Sequence, residues 1–138
     1  MANEYSQYTF DAELLLKDTG ALTASADSLI LDLGDGIVDQ LAVIDVTAIK
    51  TSAGDEKYTI SVEASNTADM SAGSVAVATK VVGLLTTPMD ADATEAGRYV
   101  IPFRNEENGN IYRYVRLSVV IAGTLPSIDF LAFVGTRA

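Results

Sequence analysis

Carboxylates are the one catalytic raw material that this chain holds in quantity. Asp32, Asp35 and Asp39 fall within "DLGDGIVDQ" (32–40), and Asp90, Asp92 and Glu95 within "MDADATE" (89–95). Two such acids could hydrolyse a glycoside, provided that a cleft held them at a set separation and raised one pKa. Oxygen donors on turns also suit calcium, yet neither stretch has the alternating acids, central glycine and terminal glutamate of an EF-hand loop. The plainer alternative is that acids at turns accept backbone hydrogen bonds and keep the protein soluble. On that reading the chain has no catalytic, cofactor-binding or metal-ligating residues and is not an enzyme, with a weak calcium site at the acidic loops as the remaining metal option. Gly34 and Gly36 in "GDG" do not form a phosphate cradle, because no helix-opening pattern and no Lys-Ser/Thr pair follows them.

Absences narrow the chemistry further. The 138 residues include no histidine and no cysteine, which removes Ser-His-Asp and Cys-His catalysis, imidazole acid–base work, disulfides and the usual zinc or copper ligand sets. Net charge is -10, from 19 acidic against 9 basic residues, so a surface meeting bare phosphate would oppose the field of the whole molecule. Nucleic acid is therefore not an expected partner. The start, "MANEYSQYTF", has neither a basic nor an apolar signal region, and no apolar run approaches the roughly 20 residues that a membrane span needs. Assembly in the cytoplasm, with no membrane partner, is the expectation.

The elements that must position any site read as strands. Short alternating runs recur between turn-forming residues, and no segment holds a helical stripe over three turns. The predicted strands are 9–16, 28–33, 40–49, 58–64, 75–82, 98–103, 111–121 and 127–134, with turns at "DTG" (18–20), "GDG" (34–36), "AGDE" (53–56), "SAG" (71–73), "EENGN" (106–110) and "GTLP" (123–126). In "YTISVEA", Tyr58, Ile60, Val62 and Ala64 face one way and Thr59, Ser61 and Glu63 the other. In "VDQLAVIDVTAI" both parities carry apolar residues, which predicts partial cover on both faces. Antiparallel strands of this length must bury a face, and two packed sheets do so; the expected fold is an all-β, antiparallel two-sheet sandwich, a jelly roll of about eight strands. One domain over 1–138 is expected, with 1–8 as an extended arm and Leu84–Gly97 as an exposed loop.

"YRYVRLSVVIAG" (112–123) has a dry face, Val115, Leu117, Val119 and Ile121, and an opposite face of Tyr112, Tyr114, Arg116 and Ser118. Tyrosine and arginine are enriched where another protein lands. If the last two strands form a hairpin through "GTLP", Ile121 faces Ile128, Val119 faces Phe130 and Leu117 faces Ala132. Arg116, Ser118, Val120, Leu131 and Phe133 then share the outer side with Tyr112 and Tyr114, giving a candidate protein interface. Otherwise the two strands lie in opposite sheets, and Leu131 and Phe133 fill a corner. On the interface reading, Arg116→Glu weakens assembly and leaves folding intact.

The set "ALTASADSLILDLGDG", "YTISVEASNTADMSAG", "AGRYVIPF" and "YRYVRLSVVIAGTLPSIDFLAFVG" resembles the small capsid cement (decoration) proteins of tailed bacteriophages, in particular the jelly-roll type of a short-tailed Bordetella phage, over about Asp11 to Gly135. The resemblance implies a jelly-roll structural protein on the capsid exterior that bridges neighbouring major capsid subunits, assembled in the bacterial host cytoplasm and acting as a homo-oligomer, dimer or trimer. It brings no catalytic residue. The alternative is a carbohydrate- or receptor-binding β-sandwich module of a phage tail or fibre, against which the absence of tryptophan counts.

Overall fold

A computed structural model describes residues 15–51, 55–83 and 96–135. Twelve β-segments occur among them: β1 (Leu15–Lys17), β2 (Ala21–Leu22), β3 (Ala26–Asp27), β4 (Leu31–Asp32), β5 (Asp39–Ile49), β6 (Lys57–Ser65), β7 (Val75–Gly83), β8 (Gly97–Arg104), β9 (Glu106–Glu107), β10 (Asn110–Ile111), β11 (Tyr114–Ala122) and β12 (Ile128–Gly135). One sheet runs β1-β12-β5-β8, with β2 also on β12. A second runs β3-β11-β6-β7, with β4 also on β11, and β9 pairs with β10 in a separate two-stranded ribbon. All pairings are antiparallel and nest from the chain ends inward: β1 with β12, β3 and β4 with β11, β5 with β8, and β6 with β7. That is a long hairpin folded over on itself into two layers, a jelly roll. The expected segments 1–8, 9–14 and most of 84–97 lie outside the described residues.

Alternation explains the layers. Tyr58, Ile60, Val62 and Ala64 of β6 and Val115, Leu117 and Val119 of β11 point inward and meet Ala42, Ile44, Val46, Ile128, Phe130, Ala132 and Val134 from the other sheet. Burying a large apolar side chain such as Phe130 contributes about 1.5–3 kcal/mol, so this interior is the main source of stability. The double-sided pattern of β5 is also realised. Leu41, Val43 and Phe133 form a second cluster on the outward side of their sheet, with Val100 and Leu131 against it.

The expected hairpin between the last two strands does not form. Leu117, Val119 and Ile121 of β11 pair with Val62, Ile60 and Tyr58, whereas Ile128, Phe130 and Ala132 of β12 pair with Ile49, Val46 and Ile44 in the opposite sheet. Both strands carry an apolar face, and stacking these across the sandwich buries both. The chain changes layers at Gly123–Ser127. There the Thr124 amide and hydroxyl donate to the Asp55 carboxylate (3.1 and 2.8 Å), and Gly123, at φ +115°, lies so close to Asp55 and Glu56 that a Cβ would come within 2.6 Å of the Glu56 Cα.

Two predicted strands are interrupted. Within 28–33, the Ser28 amide donates to the Leu117 carbonyl (2.8 Å) and the Leu29 amide to the Leu16 carbonyl (2.9 Å). This short stretch therefore stitches one sheet to the other along the side where β1 and β3 lie. Within 111–121 the ladder breaks at Tyr112–Arg113, between β10 and β11.

Candidate functional site

Of the candidate interface residues, the structure brings together Tyr114 and Arg116 and separates the others. Tyr114, Arg116, Ser118 and Val120 project from the outward face of β11, beside Glu63, Ser61 and Thr59 of β6 and Thr79 and Val81 of β7. Leu131 and Phe133 belong to the outward side of the other sheet, across the sandwich. Tyr112 packs against the main core, because the break before β11 turns it to the inward side. A single patch of all five residues is thus excluded by the layer change at Gly123–Ser127.

The β11 face is low in net charge. Arg116 is partly shielded and donates from Nε to Glu63 Oε1 at 3.0 Å, with Asp27 3.7 Å away. Around this group the face consists of short polar and aliphatic side chains, including a hydroxyl pair, Ser61 and Thr79, at 3.1 Å. Val120 is 54% exposed. Short and β-branched side chains lose little rotamer freedom on contact, so a face of this kind can be covered at low entropic cost.

Each of the acids of 32–39 lies beside an arginine. Arg113 donates from Nε and Nη2 to both oxygens of Asp32 (2.7 and 2.8 Å), and Arg104 does the same to Asp39 (2.7 and 2.9 Å). Asp35 stands 3.8 Å from Arg113. The hydrogen bonds from Arg113, aided by the Gly34 amide, hold the Asp32 carboxyl below its ordinary range, and those from Arg104 do so for Asp39. A general acid needs a shift in the opposite direction. Among the described residues no group of three or more His, Cys, Asp or Glu side chains could hold a metal ion; Asp90, Asp92 and Glu95 lie outside them.

Amides brace this end of the sandwich. Asn105, fully buried, donates from Nδ2 to the carbonyls of Gly36 (3.0 Å) and Tyr112 (2.6 Å) and accepts the Val38 amide on Oδ1 (2.8 Å). Asn66 donates to the Ile111 carbonyl (2.9 Å) and accepts the Arg113 amide (3.1 Å). Neither asparagine was singled out by the sequence. The "EENGN" turn was legible, but a side chain that reaches 69 residues back has no local signature.

Several grooves open on the sandwich. One, of about 390 Å³, lies at the stitched side and is lined by Leu16, Leu22, Ala26, Leu29, Val119 and Phe130. Lys17 closes its rim by donating to the carbonyls of Asp18, Gly20 and Phe130 (2.9, 2.6 and 2.8 Å). Burial lowers the pKa of Lys17 against the opposing pull of Asp129 and Asp18. Another groove, of about 610 Å³, lies at the Asp39–Arg104 end, lined by Asp39, Gln40 and Leu41 of β5, Pro102, Phe103 and Arg104 of β8 and Val77 of β7.

Among known proteins, no family model matches the chain, and no curated protein does. A solved structure of Clostridium thermocellum endo-1,4-beta-D-xylanase 10B, comprising its CBM22-1 and GH10 modules in complex with xylohexaose, is similar at a TM-score of 0.44 and 15% identity. The likeness covers 100% of this chain, which spans 29% of the length of that one.

Proposed function

We propose that this chain is a structural virion protein without catalytic activity, which binds the outer surface of a bacteriophage capsid and cements neighbouring major capsid subunits. The observation that carries the reading is the outward face of β11, β6 and β7, where Val120 is exposed among short side chains beside Tyr114 and where Arg116 is ion-paired with Glu63 and Asp27. On a chain of net charge -10, a face whose acids are offset by an arginine is where a neighbouring protein surface can approach with less repulsion. The jelly-roll sandwich and the four resembling sequence stretches support the same reading. So does the pairing of the acids at 32–39 with arginines, which opposes a hydrolytic role. Each contact can be weak, because a lattice repeats the site and a homo-oligomer of the chain engages several copies at once.

Co-sedimentation with undecorated, expanded capsids across a salt series tests this, beside size-exclusion chromatography of the free protein. Saturable binding at a fixed ratio to the major capsid subunit is expected. Absence of binding would overturn the reading and favour a carbohydrate- or receptor-binding module.

A further inference from the structure

Val43 and Phe133 are 0% and 1% exposed and Leu41 is 8% exposed, although all three point to the outward side of their sheet, away from the main core. In the ladder Val43 lies between Phe133 of β12 and Val100 of β8, so the group is one apolar patch across three strands. Among the described residues, no side chain from another layer joins it. Val120, on the outward side of the second sheet, is by contrast 54% exposed. Neighbours in the same layer shield the flanks of a side chain and not its outward end, so full burial on an outward face calls for chain laid over it. Arg98 supplies part of that cover. Its guanidinium sits 5.8 Å from the Phe133 ring centroid and is held by two hydrogen bonds to Asp45 (2.6 and 2.8 Å). Leu41 lies further along β5, at the other end of the patch.

Four stretches of chain lie outside the described residues: 1–14, 52–54, 84–95 and 136–138. Of these, "SAG" (52–54) and "TRA" (136–138) carry no large apolar side chain. The stretch 84–95 leads into β8 at Gly97, opposite Val46 and so at the Arg98 end of the patch, and it holds Asp90, Asp92 and Glu95. The stretch 1–14 leads into Leu15, the ladder partner of Phe133 itself. Because β1 is antiparallel to β12, the chain reaches Leu15 from the side of Gly135, whose own partner is Leu41. Strands lie about 4.8 Å apart, so the patch is about 10 Å wide from β12 to β8, whereas fourteen extended residues reach about 45 Å.

We infer that the segment 1–14 turns back at the Leu41–Gly135 end and lies over the outward face of β12, β5 and β8, where Tyr5, Tyr8 and Phe10 close the patch of Leu41, Val43 and Phe133. Aromatic rings supply the area that such a cover needs, and tyrosine hydroxyls can reach water at its rim. The occupant is the chain's own, because the patch is already buried within one chain. Leu131 and Phe133, two of the candidate interface residues, are then taken up inside the protein. Tyr114 and Arg116 on the β11 face are left as the candidates that a partner can meet, whatever that partner is.

The test is NMR of the full-length wild-type protein with labelled valine methyl groups and aromatic rings. Nuclear Overhauser contacts are expected from the Val43 methyls to the ring of Tyr5, Tyr8 or Phe10. Contacts to Leu84, Leu85 or Met89 in their place, or to none of these residues, would overturn the inference. A sample mixed from differently labelled molecules separates a chain's own segment from that of a second copy, and contacts found only between molecules would overturn it too. In a second measurement, the paired variant Tyr8→Ser, Phe10→Ser is exposed to a soluble paramagnetic probe. The Val43 methyls should relax several-fold faster than in wild type, while those of Ile60, in the main core, stay protected and report that the sandwich is folded. Unchanged relaxation at Val43 would show that the two rings do not cover it. None of these outcomes depends on capsid binding, so the cement reading stands or falls separately.

Discussion

The Tyr58 hydroxyl accepts the Ser127 amide at 2.9 Å and donates to the Lys50 carbonyl at 2.7 Å, so one buried phenol joins the end of β5 to the start of β12. Burial is the main cause that raises its pKa. Tyr58→Phe keeps the ring and strands the buried backbone partners, at a cost of about 1–3 kcal/mol. Urea unfolding should show a lower midpoint with an unchanged slope; a wild-type midpoint would mean that the corner holds without the hydroxyl.

Gly123 and Gly109 separate two effects of the same substitution. Both have positive φ, +115° and +84°, but a Cβ on Gly123 meets the Asp55–Glu56 backbone, while one on Gly109 meets nothing within 4 Å. Gly109→Ala should cost about 1 kcal/mol from backbone strain alone. Gly123→Ala should cost at least about 2 kcal/mol, since backbone must move as well. Equal losses in thermal unfolding would contradict the close approach.

Asn105→Ala removes an amide that satisfies Gly36, Val38 and Tyr112 at once. The expected loss is about 2–4 kcal/mol, because several buried backbone groups lose their partner together. Amide exchange should quicken first in 36–38 and 105–112, and uniform quickening across β5 and β6 would assign Asn105 a global role instead.

Asp32, Asp39, Asp55 and Asp69 are all held below the ordinary carboxylate range, by hydrogen bonds from Arg113, Arg104, Thr124 and Ser71 respectively. A carboxyl with a lowered folded pKa contributes its full stabilisation above its unfolded pKa, about 4, and loses it as pH falls through the folded value. Stability should therefore decline below about pH 4 and not between pH 5 and 8. In an NMR titration, Arg113→Gln should move the Asp32 midpoint up toward its ordinary value and leave Asp39 in place. An unmoved Asp32 would show that Gly34 and not Arg113 sets it.

Arg116→Glu is not the clean assembly probe that strand parity alone suggests. It would set a third carboxylate beside Glu63 and Asp27 and should cost roughly 1–2 kcal/mol of folding stability, since like charges replace a partly shielded pair. Val120→Lys, at an exposed position on the same face, should leave the unfolding midpoint within about 0.5 kcal/mol of wild type while weakening sedimentation with capsids. Unchanged binding would remove this face from the interface.

Period-two alternation in β6, β11 and β12 determined from sequence alone which side chains face the core, and the mixed parity of β5 announced the second cluster of Leu41, Val43 and Phe133. Such patterns are local, and burial demands them whatever the strands pair with. Which strands pair was decided only by the tertiary structure. A "GTLP" turn is compatible with a hairpin or with a corner, and the outcome depends on Asp55 and Tyr58, more than 60 residues away. For the same reason Tyr114 and Arg116 share a face while Leu131 and Phe133 lie across the sandwich. The brackets formed by Asn66 and Asn105 likewise exist only once distant segments meet.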